Sequence, residues 1–240
     1  MNSESLPPEL LGEFRSLSTC VVANAIETFD LRLRNAGFAN STIRCMFPDL
    51  PPLVGYAVTT RIRTADPPME GHTYYARPDW WQHIQRIPEP RIIVAEDLDS
   101  TPGVGAFIGE VHANILLALG CAGIVTNGAV RDLPSVQATG FQMFAGNVSV
   151  SHAYAHVFDF GGTVELGGLT IDPGDLIQGD LHGVQTIPRE IATRVASAAR
   201  DVLGKRKTLI EVCHSADFTL AKLYETLQGM ESNPMQFPNK

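Results

Sequence analysis

Apolar residues recur at helical spacing in two stretches near the N-terminus, residues 8–18 and 19–29. In the second, Val21, Val22, Ala25, Ile26 and Phe29 share a face, and Ser18 or Thr19 can cap it. Residues 30–52 show no period and end in Pro48, Pro51 and Pro52. The β-branched run 54–64 (VGYAVTTRIRT) then predicts a strand. A proline- and glycine-bearing loop over 65–80, a short helix over 79–87 and a strand over 91–96 (RIIVAE) follow. A helix is expected from Gly109 to about Leu119, where Gly120 ends it. Residues 122–126 (AGIVT) read as a short buried strand, and NGAVRD reads as a turn that opens a second short helix near Leu133. Several short strands fill 141–187 between Gly161-Gly162, Gly167-Gly168, Asp172-Pro173-Gly174 and Gly183. Residues 188–230 read as helical, beginning at Pro188 in a favourable first-turn position, and the last ten residues are expected to fray. No repeat, linker or low-complexity block divides the chain. The pattern predicts one α/β domain over residues 1–240, with a core over about 17–190 and a helical segment over about 188–230.

Composition narrows the function classes. A chain of 240 residues that is 44% hydrophobic can bury a core without disulfides or structural metals. The net charge of −8 is a poor match for nucleic acid, whose binders carry a basic stripe. The longest apolar run, 113–125, is too short to span a membrane and holds Asn114 and two glycines. The start, MNSESLPPEL, lacks the charged and apolar regions of a signal peptide, which points to the cytoplasm. Cys20, Cys45, Cys121 and Cys213 are scattered without a CxxC, as expected of reduced, mostly buried thiols.

Three groups of residues carry candidate chemistry. Gly103, Gly105 and Gly109 after the strand RIIVAE imitate a dinucleotide turn. Seven residues, Glu96 to Pro102, intervene before Gly103, whereas such a turn follows its strand almost at once. His152 and His156 are four apart, but VSVSHAYAHVF alternates like a strand, which would hold them about 13 Å from each other and too far for one metal. His72, His83, His182 and His214 carry no pattern. The third group is Glu110 at a helix start and Arg131-Asp132 just beyond the following strand, with 20 residues between. A helix and a strand return the chain to the same end of the sheet. Gly105 and Gly109 let backbone approach a ligand, and the helix start offers N–H groups to a carboxylate. Arg131 can grip a carboxylate with two bonds, and Asp132 supplies a hard oxygen for Mg²⁺ or Mn²⁺. Together they could hold a 2-oxo acid. An ordinary first-turn acid and a helix-start ion pair produce the same pattern.

The segment Gly120-Cys-Ala-Gly123-Ile-Val-Thr-Asn-Gly128-Ala-Val-Arg131-Asp132 resembles the family that contains 4-hydroxy-4-methyl-2-oxoglutarate aldolase and the RraA proteins, regulators of ribonuclease E. Its pattern is an acid at a helix start, 20 residues, then Arg-Asp, usually within G-x-x-G-V-V-x-D-G-x-x-R-D. Residues 171–184 (IDPGDLIQGDLHGV) are similar to the family's V-x-P-G-D-x-V-x-x-D-x-x-G-V. Leu17-Ser-Thr19 with Val22-Ala-Asn24-Ala25 is a weaker match to T-x-x-V-x-D-A. The resemblance implies a three-layer β/β/α swivelling fold of the phosphohistidine-domain type. It implies homotrimers or homohexamers with sites between subunits. It further implies a class II pyruvate aldolase, dependent on a divalent metal, that also decarboxylates oxaloacetate and takes a small 2-oxo or 4-hydroxy-2-oxo acid. Carried over, Arg131 holds the substrate carboxylate, Asp132 reaches the Mg²⁺ or Mn²⁺, and Glu110 helps activate the water that protonates the enolate. Gly109 and the N–H groups of Val111 and His112 become substrate contacts. The alternative within the resemblance is a non-catalytic regulator that binds ribonuclease E or another protein.

The chain departs from the pattern at several points. Glu110 stands where the characterised aldolases have aspartate, so its carboxylate reaches about one methylene further. Asn127 and Asn24 stand where aspartate is usual. Residues 30–52 and 65–80 have no counterpart and could shape a different pocket.

Overall fold

The structure, a computed structural model, describes residues 5–68 and 77–231. Half of the loop expected over 65–80, residues 69–76 with His72, and residues 232–240 of the end expected to fray lie outside the described residues. In chain order the elements are α1 (Pro8–Ser16), α2 (Thr19–Glu27), β1 (Arg44–Cys45), β2 (Leu53–Arg63), α3 (Pro78–Ile84), β3 (Arg91–Asp97) and β4 (Ala106–Ile108). Then come α4 (Glu110–Ala118), β5 (Cys121–Val130), α5 (Leu133–Thr139), β6 (Gln142–Val148), β7 (His156–Phe160), β8 (Val164–Leu166) and β9 (Leu169–Ile171). β10 (Leu176–Asp180), β11 (Gly183–Ile187), a 3₁₀ turn (Arg189–Ile191), α6 (Ala192–His214) and α7 (Leu220–Glu231) complete the chain.

The main sheet runs β1-β6-β5-β3-β2-β10-β11, with β4 added beside β5 and β7 beside β2. β2, β3, β5 and β6 are mutually parallel neighbours. The other edge of β2 is shared by two antiparallel strands, β10 along Leu53–Tyr56 and β7 along Thr60–Arg63. Strand alternation sorts the core into layers. On β2, Val58 and Ile62 face the cluster under α3, α4 and α5, and Val54 and Tyr56 face the one under α1, α2 and α6. Leu53 and Ala57 point the other way, onto the small β8–β9 hairpin. The result is hairpin, sheet and helices, the expected three-layer β/β/α arrangement with a helical C-terminal part.

Two of the resembling motifs meet in this frame. Asp180, 7% exposed, accepts hydrogen bonds from the Thr19 N–H (2.9 Å), the Thr19 hydroxyl (2.7 Å) and the His182 N–H (2.8 Å). Burial pushes its carboxyl up, but these donors outweigh it and hold Asp180 below the usual range. The buried Gln178 donates to the Phe14 and Leu17 carbonyls, both at 2.9 Å, and Gln185 donates to the Thr19 carbonyl at 2.9 Å. Residues 171–184 and the start of α2 therefore lock the helical layer to the sheet.

Several expectations need correction. NGAVRD is not a turn: β5 continues through Asn127 to Val130. Asn127 accepts from the Asp97 N–H (2.7 Å) and donates to the Asp97 carbonyl (3.0 Å), while the pairing with β6 shifts register between Thr126 and Ala129. The Asn-Gly pair thus sits at a bulge inside a strand. An aspartate at 127 could accept but not donate, so the amide suits both bonds. VSVSHAYAHVF is not one strand, because β6 ends at Val148 and β7 begins at His156. The helical segment breaks between His214 and Leu220. All four cysteines are free, yet Cys20 and Cys213 are exposed and only Cys121 is buried, because the first two lie on outward helix faces. No helix of the described residues is long and apolar enough to cross a membrane.

Candidate active site

Glu110, Arg131 and Asp132 meet as their spacing implied. β5 delivers Arg131-Asp132 beside the start of α4, and the Arg131 N–H donates to the Ile108 carbonyl of β4 at 2.9 Å. Asp132 takes a left-handed backbone conformation (φ 56°) that ends the strand and opens α5. Its Oδ2 accepts the Glu110 N–H at 3.0 Å and lies 3.4 Å from Arg131 Nε. The glycine before Glu110 is required by this approach: a Cβ on Gly109 would stand 2.5 Å from Asp132 Oδ2. Gly105 likewise makes room for protein rather than ligand, since its Cβ would fall 2.5 Å from the His152 carbonyl oxygen.

These three side chains line one wall of a cavity of about 400 Å³. The first hydrogen bond inside α4 runs from the Ala113 N–H to the Gly109 carbonyl, so the N–H groups of Glu110, Val111 and His112 precede the ladder. Asp132 takes the first of them. Among the described residues the Glu110 carboxylate and the terminal nitrogens of Arg131 have no hydrogen-bond partner, which leaves both for a ligand. Asp132 Oδ1 is in the same position.

The imidazole of His112 is part of the packing under the site. It is 1% exposed, its Nδ1 lies 3.2 Å from the Phe107 carbonyl, and its ring meets those of Trp81 and Phe107 edge-on. Because a carbonyl only accepts, Nδ1 carries the proton. Burial pulls this imidazole down to about 4, against the opposing Phe107 bond. The unfolded chain takes up a proton at His112 near the ordinary value of 6.5 that the folded chain refuses until about 4. Stability therefore falls as pH drops through 6.5 and levels off near 4. Between pH 7 and 4.5 this one group accounts for about 2–3 kcal/mol. Urea unfolding at the two pH values should show the drop shrinking by that amount in His112→Asn; an equal drop in both proteins contradicts the assignment.

Two buried acids outside the predicted set tie down the chain at Thr64–Ala65 and at Gly103. Asp99 accepts from the Thr64 N–H (2.7 Å), the Thr64 hydroxyl (2.9 Å) and the Ala65 N–H (2.8 Å). Asp97 accepts from the N–H groups of Gly103 (2.8 Å) and Asp99 (3.1 Å). Burial pushes the Asp97 carboxyl up; at Asp99 burial acts the same way, but the Thr64 and Ala65 donors outweigh it and hold that carboxyl low. Of the glycines that imitate a dinucleotide turn, Gly103 is thus tied to the Asp97 carboxylate, and the Gly105 N–H donates to the Thr64 hydroxyl at 3.1 Å. His152 to Ala155 also line the cavity; the sequence did not place them there, because alternation hid their loop. The non-glycine residue Ala153 at φ 46° marks the turn.

A sequence model of the RraA-like family (Aldolase/RraA) matches residues 19–185. A protein of Halalkalibacterium halodurans, provisionally named 4-hydroxy-4-methyl-2-oxoglutarate aldolase, is 32% identical over 96 residues, covering 40% of this chain and 46% of that protein. The match thus spans a little under half of that relative. Among solved structures, an uncharacterized protein from Pseudomonas syringae superposes with a TM-score of 0.72 at 23% identity, over 94% of this chain and 97% of that one. Streptomyces coelicolor RraAS2, described as an unusual member of the RNase ES inhibitor RraA protein family, gives 0.67 at 20% identity, over 86% and 98%. At these identities the structures speak for the fold, and the family model speaks for descent: the chain belongs to the RraA-like family, which takes in both aldolases and RraA proteins.

Proposed function

We propose that the chain is a carbon–carbon lyase, a pyruvate aldolase of the class II type that also decarboxylates oxaloacetate, working in the cytoplasm. The observation that carries this reading is the convergence of Arg131, Asp132 and Glu110 on one cavity wall at the start of α4. In a 4-hydroxy-2-oxo acid the C3–C4 bond breaks as the C4 hydroxyl loses its proton. A carbonyl compound leaves, and the pyruvate enolate takes a proton at C3. Arg131 presents its terminal nitrogens to the C1 carboxylate, and the Val111 N–H at the helix start adds a donor. Glu110 orients a water that carries the proton from the C4 hydroxyl and returns it to C3.

The donor set fits a water-rich Mg²⁺ or Mn²⁺ held by Asp132. Among the described residues no group of three His, Cys, Asp or Glu side chains forms a closed cage, and Asp132 Oδ1 is a hard oxygen without a hydrogen bond. A bound divalent ion supplies Lewis-acid stabilisation of the enolate charge. The test is pyruvate release from oxaloacetate and from 4-hydroxy-2-oxo acids, with EDTA and with metal restored. EDTA should suppress turnover, and Asp132→Ala should stay folded but no longer respond to metal. Turnover indifferent to EDTA, or a complete lack of pyruvate from these substrates, overturns the reading.

A further inference from the structure

On the lyase reading just given, we infer that the aldol substrate held best is a monocarboxylic 2-oxo acid whose other end is apolar or aromatic, and that a dicarboxylate such as oxaloacetate is the poorer ligand. The charges lining the cavity come first. Among the described residues Arg131 is the sole lysine or arginine there, and it faces two carboxylates, Glu110 and Asp132. Arg131 answers one substrate carboxylate, and a divalent ion on Asp132 would serve that same 2-oxo end. A second carboxylate at the other end would lose its water with no lysine or arginine among the described lining residues to pair with.

The rest of the lining is largely of the opposite chemistry. Pro68, Phe107, Val111, Tyr154 and Ala155 belong to it, beside His152, with Val111 62% and Tyr154 54% exposed. Tyr154 is held in place by its backbone. Its N–H donates to the Thr64 carbonyl at 3.1 Å, and its own carbonyl accepts from His156 Nδ1 at 2.7 Å. The turn at Ala153 and the missing side chain at Gly105 press this loop onto the entry to β4. The backbone that carries the aromatic ring is thus fixed, and covering the ring with an apolar group removes both surfaces from water. The volume of about 400 Å³ lies in the range of small-molecule pockets.

The experiment compares two stable 2-oxo acids, phenylpyruvate and 2-oxoglutarate, by calorimetric titration of the full chain with Mg²⁺ at pH 8. In parallel, pyruvate release is followed from 4-hydroxy-2-oxo-4-phenylbutanoate and from 4-hydroxy-2-oxoglutarate. Phenylpyruvate should bind at least about tenfold tighter, and the phenyl substrate should have the higher kcat/KM. In Tyr154→Ala the affinity ratio should collapse to within about twofold. Equal or tighter binding of 2-oxoglutarate, or no binding of either acid, overturns the inference. Preference for phenylpyruvate with no pyruvate from either hydroxy acid upholds the pocket chemistry and sinks the lyase reading instead.

Discussion

Exchanging Glu110 for glutamine is expected to slow carbon–carbon cleavage and deuterium exchange at the pyruvate methyl group together, by about 10²–10⁴-fold. Glutamine keeps the size of the side chain and leaves the backbone bond from residue 110 to Asp132 Oδ2 in place. What it loses is the acceptor charge that orients a water. Affinity for the 2-oxo acid should change little, since Arg131 and the helix start remain. Exchange is the sharper readout, because it isolates proton delivery from bond cleavage. If the glutamine protein exchanges methyl protons at the wild-type rate, Glu110 is only a first-turn acid favoured by the helix dipole.

Arg131→Lys is expected to lower kcat/KM roughly 10–100-fold while leaving the circular dichroism and melting temperature nearly unchanged. The guanidinium spends Nε on Asp132 and has two terminal nitrogens left for a carboxylate. Lysine keeps the charge but has one flexible nitrogen, which must choose between the aspartate and the substrate. A charge-assisted hydrogen bond lost from a ligand site is worth about 1.5–3 kcal/mol, which sets that range. The small stability effect follows from the 35% exposure of the side chain. Wild-type kinetics in the lysine protein would mean that the carboxylate is held elsewhere.

The parts of the fold that the sequence made legible are those whose burial repeats at a fixed period. β2 and β3 are long β-branched runs, and α4 ends at a glycine with φ 72°, so local chemistry and tertiary packing agree. The misreadings fall where a local signal serves another purpose. Asn127-Gly128 has the composition of a turn, but the amide is spent on the backbone of Asp97, a partner 30 residues away that no window reveals. β4 is three residues long, too short to show a period between its flanking glycines. Val148, Ser149 and Val150 alternate like a strand, yet Val150 is 98% exposed and Ser149 turns its hydroxyl back to Val104. At the site, Glu110, Arg131 and Asp132 were legible because one helix and one strand return the chain to its starting end. Tyr154 was not, because its place in the cavity wall depends on the long-range bond to Thr64 and on the close approach at Gly105.

The shared edge of β2 has a consequence during ribosomal synthesis. Its partners on that side, β7 and β10, leave the ribosome roughly 100–120 residues after β2 itself. At about 5–20 residues per second, the strand's unpaired N–H and C=O groups stay open for on the order of 5–25 s. For that interval an eleven-residue, largely apolar strand is a template for pairing with any neighbouring nascent chain. Arg61 and Arg63 sit at its trailing end, where their charge discourages such pairing. Its leading half, Leu53–Val58, has no such guard, so this is the segment that a chaperone would be called on to shield.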